Sequence, residues 1–259
     1  MSNPARLERD EGLAVITFDS PPLNLFDARL EEGLRSTLTE LEEQPPRAVL
    51  FRAEGRVVSG GVDVSVFAQQ SGPDAATTTF DSLIEIEQRV ERLPCPTLFA
   101  AHALCLTWAF ELSLACDLIV AAESARFGLV EIVVGLTPAM GGTQRLAERA
   151  GSGRARELVM TGRPFDAATL ERWNVVNRVL PDEGFDEAAR ELARTLARGP
   201  TLAHAATKQV IRDYLEGGVA LADERVGRVA GELFASEDLQ QAVRTFLEEG
   251  PGKATFTGR

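Results

Sequence analysis

Along the chain, short continuous apolar runs alternate with stretches in which apolar residues recur every three or four positions. Leu13-Ala-Val-Ile-Thr-Phe18, Ala48-Val-Leu-Phe-Arg52, Thr97-Leu-Phe-Ala-Ala101 and Leu118-Ile-Val-Ala-Ala122 read as buried strands. Between them lie helical patterns. Asp27 caps a helix that runs to about Leu41, with Leu30, Leu34, Leu38 and Leu41 on one face, and Pro45-Pro46 ends it. Further helices are expected from about Thr77 to Leu93, over Trp108–Ala115, and from near Gly142. Strands alternating with helices predict an α/β core. From Asp166 onward helical patterns dominate: one opens at Asp166, one spans Phe185–Ala197, and others cover Leu202–Leu215, Val219–Ala235 and Glu237–Glu248. A soft boundary near residue 195 separates a core, 1–195, from a helical appendage, 196–259. The apolar faces of that appendage need a partner surface, either the core or another subunit.

A length of 259 residues suits one substantial core plus a small appendage, and 44% apolar with 25% charged residues is ordinary for a soluble globular protein. The net charge of −12 argues against a nucleic-acid partner and against an anionic membrane surface. No run approaches the apolar length of a bilayer span, and the first ten residues lack the apolar stretch of a signal peptide. Cys95, Cys105 and Cys116 have no metal-type spacing, which predicts buried, reduced thiols in a cytoplasmic protein. Lys208 and Lys253 are the only lysines, so an anionic cosubstrate must be met by these two, by a few arginines or by backbone N–H groups.

The candidate chemistry centres on two glutamates. Glu111 interrupts the apolar run Cys105–Cys116, and Glu131 follows Phe127-Gly-Leu-Val130. A carboxylate among apolar neighbours costs several kcal/mol unless it is paired, neutralised or used. Two in one cavity repel, their proton affinities separate, and an acid and a base coexist near neutral pH. Taken singly, each is equally a helix-surface or turn-capping carboxylate. The segment Gly55–Asp63 follows a strand, and its adjacent glycines allow close backbone approach to a ligand. It lacks both the Gly-Lys-Ser/Thr ending of a phosphate-binding loop and a dinucleotide fingerprint, and by itself such a segment is more often an ordinary loop. If the amides of Val62 and of Trp108, at a helix start, converge, they form a two-donor oxyanion hole; otherwise Trp108 is a core aromatic. His102 and His204 have no Ser or Cys partner in a recognisable triad, and no metal cluster is visible.

Four segments, in order, resemble the enoyl-CoA hydratase/isomerase (crotonase) family over essentially the whole chain. They are Pro21-Pro-Leu-Asn24, Ser59-Gly-Gly-Val-Asp63, Ala101–Asp117, and Phe127-Gly-Leu-Val-Glu131 with Gly135–Leu146. The resemblance implies a spiral of strand–strand–helix units with a C-terminal helical region that builds trimers or pairs of trimers. It implies an acyl-CoA thioester as substrate, with coenzyme A part of that substrate and no separate cofactor. Carried over, Glu111 and Glu131 are the catalytic carboxylates, and the amides of Val62 and Trp108 hold the thioester oxygen. Leu25, Gly60, Gly61, Asp63, Val64 and Ser65 then line the acyl-CoA site.

The chain also departs from the family pattern. Thr107-Trp108-Ala109 stands where three glycines are usual, so an indole either narrows the acyl pocket, redirects it or swings away. Val62 replaces a smaller alanine and Val130 a proline. Ser65 and Glu249 fall where hydratases often place lysines, which leaves phosphate contacts to Arg56, Lys208 or Lys253. The two carboxylates favour an enoyl-CoA hydratase. A double-bond isomerase relying mainly on Glu131, and an acyl-CoA-binding protein with vestigial chemistry, are the alternatives.

Overall fold

The computed structural model describes residues 3–68 and 71–259. Its strands are β1 (Ala5–Asp10), β2 (Leu13–Phe18), β3 (Ala48–Ala53), β4 (Thr97–Ala101), β5 (Leu104–Leu106), β6 (Leu118–Ala122), β7 (Arg126–Gly128), β8 (Phe165–Asp166) and β9 (Arg178–Leu180). Its helices are α1 (Ala28–Glu43), α2 (Ser65–Ala68), α3 (Pro73–Arg92), α4 (Trp108–Ala115), α5 (Gly142–Ala150), α6 (Ser152–Thr161), α7 (Ala167–Arg172), α8 (Phe185–Arg198), α9 (Thr201–Glu232) and α10 (Glu237–Glu249).

The main sheet has the order β1-β2-β3-β4-β6-β9. Only β1 and β2 pair antiparallel; every later neighbour is parallel. The central strands are buried on both faces, which is why they are near-continuous apolar runs. Asp27 caps α1 as the sequence predicts, its carboxylate accepting from the Leu30 amide at 2.8 Å. The apolar face of α1 (Leu30, Leu34, Leu38, Leu41) is fully buried.

A second sheet, β5-β7-β8, is small but positions the chemistry. Strands β5 and β7 run parallel, with Leu104 opposite Arg126 and Leu106 opposite Gly128. Their carboxyl ends therefore emerge side by side. β5 feeds directly into α4, and β7 feeds the 3-10 turn Glu131–Val134. Crevices beyond the carboxyl ends of parallel strands are where α/β sheets usually bind ligands.

Helix α8 runs unbroken through residue 195 and packs on β2, β3 and β4 of the main sheet. The two helices expected over 202–215 and 219–235 are present within the range of α9, separated where Gly217 and Gly218 leave helical geometry. The start of α10 is fastened by Asp238, which accepts from the amides of Thr257 (2.7 Å) and Gly258 (2.8 Å). The three cysteines are free and buried. Among the described residues no helix is long and apolar enough to cross a membrane.

Candidate active site

Glu111 stands in the first turn of α4 and Glu131 three residues beyond β7. Both line one cavity of about 330 Å³, together with Phe26, Val62, Phe80, Leu83 and Met140. Asp63 and Ser65 also line it.

The two carboxylates are held differently. Glu111 is 2% exposed, and its Oε2 accepts from the Met140 amide (3.0 Å) and the Gly142 amide (2.8 Å) at the start of α5. Gly142 is required there, since a β-carbon would stand 2.6 Å from Glu111 Cγ. Two N–H donors at a helix N-terminus favour the charged carboxylate. Burial and the nearby Glu131 outweigh them and push the Glu111 carboxyl up to about 8. Glu131 is 8% exposed, and neither of its oxygens has a hydrogen-bond partner. Burial raises it to about 7, with its own backbone amide opposing the shift. At neutral pH the pair thus retains at least one proton.

Backbone pairing shapes the rim. Phe26 bridges Val62 in parallel: its N–H donates to the Gly61 carbonyl (3.0 Å) and its carbonyl accepts from the Asp63 amide (3.0 Å). In such a bridge the N–H of the central residue points to the opposite side, so the Val62 amide faces away from Phe26. A second bridge joins Ser59 to Cys105, again in parallel. Continuing its register puts Gly61 opposite Thr107 and Val62 opposite Trp108. The first of these is confirmed: a β-carbon on Gly61 would lie 3.3 Å from Thr107 Oγ1. The amides of Val62 and Trp108 have no acceptor among the described residues. Thr107 itself adopts φ 48° and ψ −117°. A β-branched residue held there stores on the order of 1–3 kcal/mol of strain.

The indole of Trp108 swings away from the cavity. It is fully buried, stacks edge-on against Phe18 with centroids 5.0 Å apart, and donates from Nε1 to the Asn24 carbonyl at 3.1 Å. The side chain of Trp108 therefore belongs to the core, while its amide, at the start of α4, has no acceptor among the described residues. Asn24, which entered the sequence reading only through its motif, is the hub of this arrangement. Its Nδ2 donates to the carbonyls of Glu54 (2.9 Å), Val57 (3.1 Å) and Val58 (3.2 Å), and its carbonyl also accepts from Ser59 Oγ (3.0 Å). This fastens the glycine segment to the turn ahead of α1.

The other sequence-derived candidates divide into near and far. Leu25 packs on Gly60, where a β-carbon would meet Leu25 Cδ2 at 3.5 Å. Asp63 accepts from the Ser65 amide (3.0 Å), which holds its carboxyl below the usual range. Val64 is 60% exposed beside them. Arg56 and Lys253 are exposed and do not line the cavity. Lys208 is buried elsewhere: Nζ donates to Asp117 Oδ2 at 2.8 Å and to the Cys95 carbonyl at 3.0 Å. Its charge is spent inside the protein because α9 lays it against the end of α4. His102 is likewise occupied, with Nε2 2.9 Å from the Gly55 carbonyl.

The family model for enoyl-CoA hydratase/isomerase matches residues 8–259. The chain belongs to the enoyl-CoA hydratase/isomerase family. A probable enoyl-CoA hydratase of Mycobacterium bovis is 31% identical over 247 residues, 94% of each chain. A carnitinyl-CoA dehydratase of Salmonella typhimurium is 32% identical over 257 residues, covering 96% of this chain and 97% of that one. The crystal structure of an enoyl-CoA hydratase from Bacillus anthracis superposes with a TM-score of 0.90 at 26% identity, covering 99% of this chain and all of the other. The family's crotonase fold is thus the fold of this chain, and the two glutamates of its cavity come from the segments that follow β5 and β7.

Proposed function

We propose that this family member is an enoyl-CoA hydratase, which adds water reversibly to a 2-enoyl-CoA thioester. The observation that carries the reading is the pairing of two buried carboxyls, both with raised proton affinity, in one cavity rimmed by unused backbone amides. With one proton between them, the ionised carboxylate takes a proton from water as its oxygen attacks Cβ. The protonated one delivers its proton to Cα. Negative charge that develops on the thioester oxygen meets the N–H groups of Val62 and Trp108, the latter at the positive end of α4. The carnitinyl-CoA dehydratase relative belongs, by name, to the same water-elimination chemistry.

The test is the loss of enoyl-thioester absorbance with crotonyl-CoA or a longer 2-enoyl-CoA. Glu131→Gln should lower the rate by about 10²–10⁴-fold. One acid and one base with affinities of about 7 and about 8 give kcat/KM a narrow bell with its optimum between those values. Conversion of a 3-enoyl-CoA with no hydration of 2-enoyl-CoA would replace this reading by isomerisation. Tight uptake of CoA esters with neither reaction would replace it by binding alone.

A further inference from the structure

Thr107 joins β5 to α4, and its backbone is held at both ends. Its N–H donates to the Gly128 carbonyl (2.9 Å), and its carbonyl accepts from the Glu111 amide (2.8 Å). A threonine ahead of a helix normally turns its hydroxyl back to accept an amide of the first turn. Thr107 makes no such bond, because its positive φ turns the side chain elsewhere. The residue is 5% exposed, and Oγ1 has no hydrogen-bond partner. Buried hydroxyls are nearly always satisfied, so an unsatisfied one at a strained position calls for an explanation.

Its surroundings supply one. The hydroxyl packs against Gly61, whose absent β-carbon would stand 3.3 Å from Oγ1. Gly61 is followed by Val62, and Thr107 by Trp108. The hydroxyl thus sits between the two backbone steps that present the amides assigned to the thioester oxygen. The two backbone hydrogen bonds hold it there, and among the described residues no acceptor competes for its proton.

We propose that the Thr107 hydroxyl is a third donor to the oxygen of the bound thioester, acting with the amides of Val62 and Trp108. This rests on reading the cavity as an acyl-CoA site. A hydroxyl preoriented toward developing charge strengthens its bond as the enolate forms, so its contribution falls on kcat more than on KM.

The experiment compares Thr107→Val, which keeps the β-branch and removes the donor, with Thr107→Ser, which keeps the donor. For hydration of a 2-enoyl-CoA, Thr107→Val should lose about 10- to 100-fold in kcat with little change in KM, and Thr107→Ser should stay within about threefold of the parent. The infrared carbonyl stretch of a bound acyl-CoA, ¹³C-labelled at the thioester carbon, should move toward that of the free ester in Thr107→Val only. Thr107→Gly removes the donor and relaxes the backbone, and serves if the valine variant does not fold; it should show the same kinetic loss. Parental kcat with an unshifted carbonyl stretch in the variants lacking the hydroxyl overturns the proposal, as does a serine variant as impaired as the valine one. If the parent chain binds acyl-CoA but turns none over, the hydratase reading fails by itself and the carbonyl stretch still decides on Thr107. A chain that binds no acyl-CoA overturns both.

Discussion

Two cavities share helix α4, and they treat charge in opposite ways. The larger, about 720 Å³, is lined by Cys116, Asp117, Arg145, Arg149, Lys208 and Arg212 among others. Lys208, Asp117, Arg145, Arg149 and Arg212 have partners there, whereas the buried Nδ1 of His204 has none among the described residues. Lys208 meets Asp117, and Arg145 holds both oxygens of Glu91 at 2.7 Å. Arg149 donates to the Cys116 carbonyl, and Arg212 donates to the Glu91 carbonyl at 3.2 Å. The smaller, about 330 Å³, leaves both oxygens of Glu131 without a partner among the described residues. Volume and number of charges point to the first cavity, and two unpartnered carboxylate oxygens on one side chain point to the second. Burying a polar group without a partner costs free energy, and a folded protein retains such a cost where a ligand recovers it.

Three substitutions test that contrast, in falling order of expected effect. Trp108 sharpens it most, because one residue serves both purposes. Trp108→Gly should cost at least about 3–5 kcal/mol by emptying the core beside Phe18 and removing the bond to Asn24. It should leave the preference for acyl-chain length unchanged; denaturant midpoints and a homologous series of 2-enoyl-CoAs measure the two. A stable variant that accepts longer chains would put the indole back in the cavity.

Glu111→Gln comes next. The folded carboxyl titrates at about 8 against an ordinary 4.5, so the stability associated with its protonated form is full below about 4.5 and is lost as pH rises toward 8. Glutamine keeps an oxygen for the Met140 and Gly142 amides and carries no titrating proton. The variant should gain on the parent between pH 5 and 8, reaching roughly 2–4 kcal/mol, while hydration collapses. A constant stability difference across that range would mean that the carboxyl is not strained by its burial.

Lys208→Met should cost about 1–3 kcal/mol, by leaving Asp117 without its cation, and should leave KM for acyl-CoA unchanged. A tenfold rise in KM with unaltered stability would return Lys208 to the phosphates of the cosubstrate.

Much of the scaffold was legible. Thr97–Ala101, Trp108–Ala115 and Leu118–Ala122 are found at the expected bounds, because their apolar runs are buried on every side and nothing competes with that pattern. The short strands β5, β7 and β9 were not, since three residues carry no readable period and exist only through their neighbours. Edge strand β1, with four charged residues among its six, escaped for the opposite reason: one side of it needs no apolar cover. At the site, both glutamates stood out as carboxylates in apolar surroundings. The direction of the Trp108 ring was left open, because it is decided by an acceptor 84 positions away. Thr107 showed only as a threonine where the resembled motif has glycine; its unused hydroxyl is a matter of backbone angles. Lys208 read as one of three candidates for a phosphate contact, because a sequence does not reveal that Asp117 and the Cys95 carbonyl converge on it.

The parallel pairing of β5 with β7 has one more consequence. Because each acid closely follows a different strand of the same small sheet, the pairing of those strands helps to set the distance between them. Phe67, Phe80 and Leu83, which also line the wall, lie on α2 and α3 and can change without altering that separation. Proton handling and acyl selection are thereby anchored to separate parts of the chain, and the pocket can be reshaped for new thioesters while its reactive centre stays as it is.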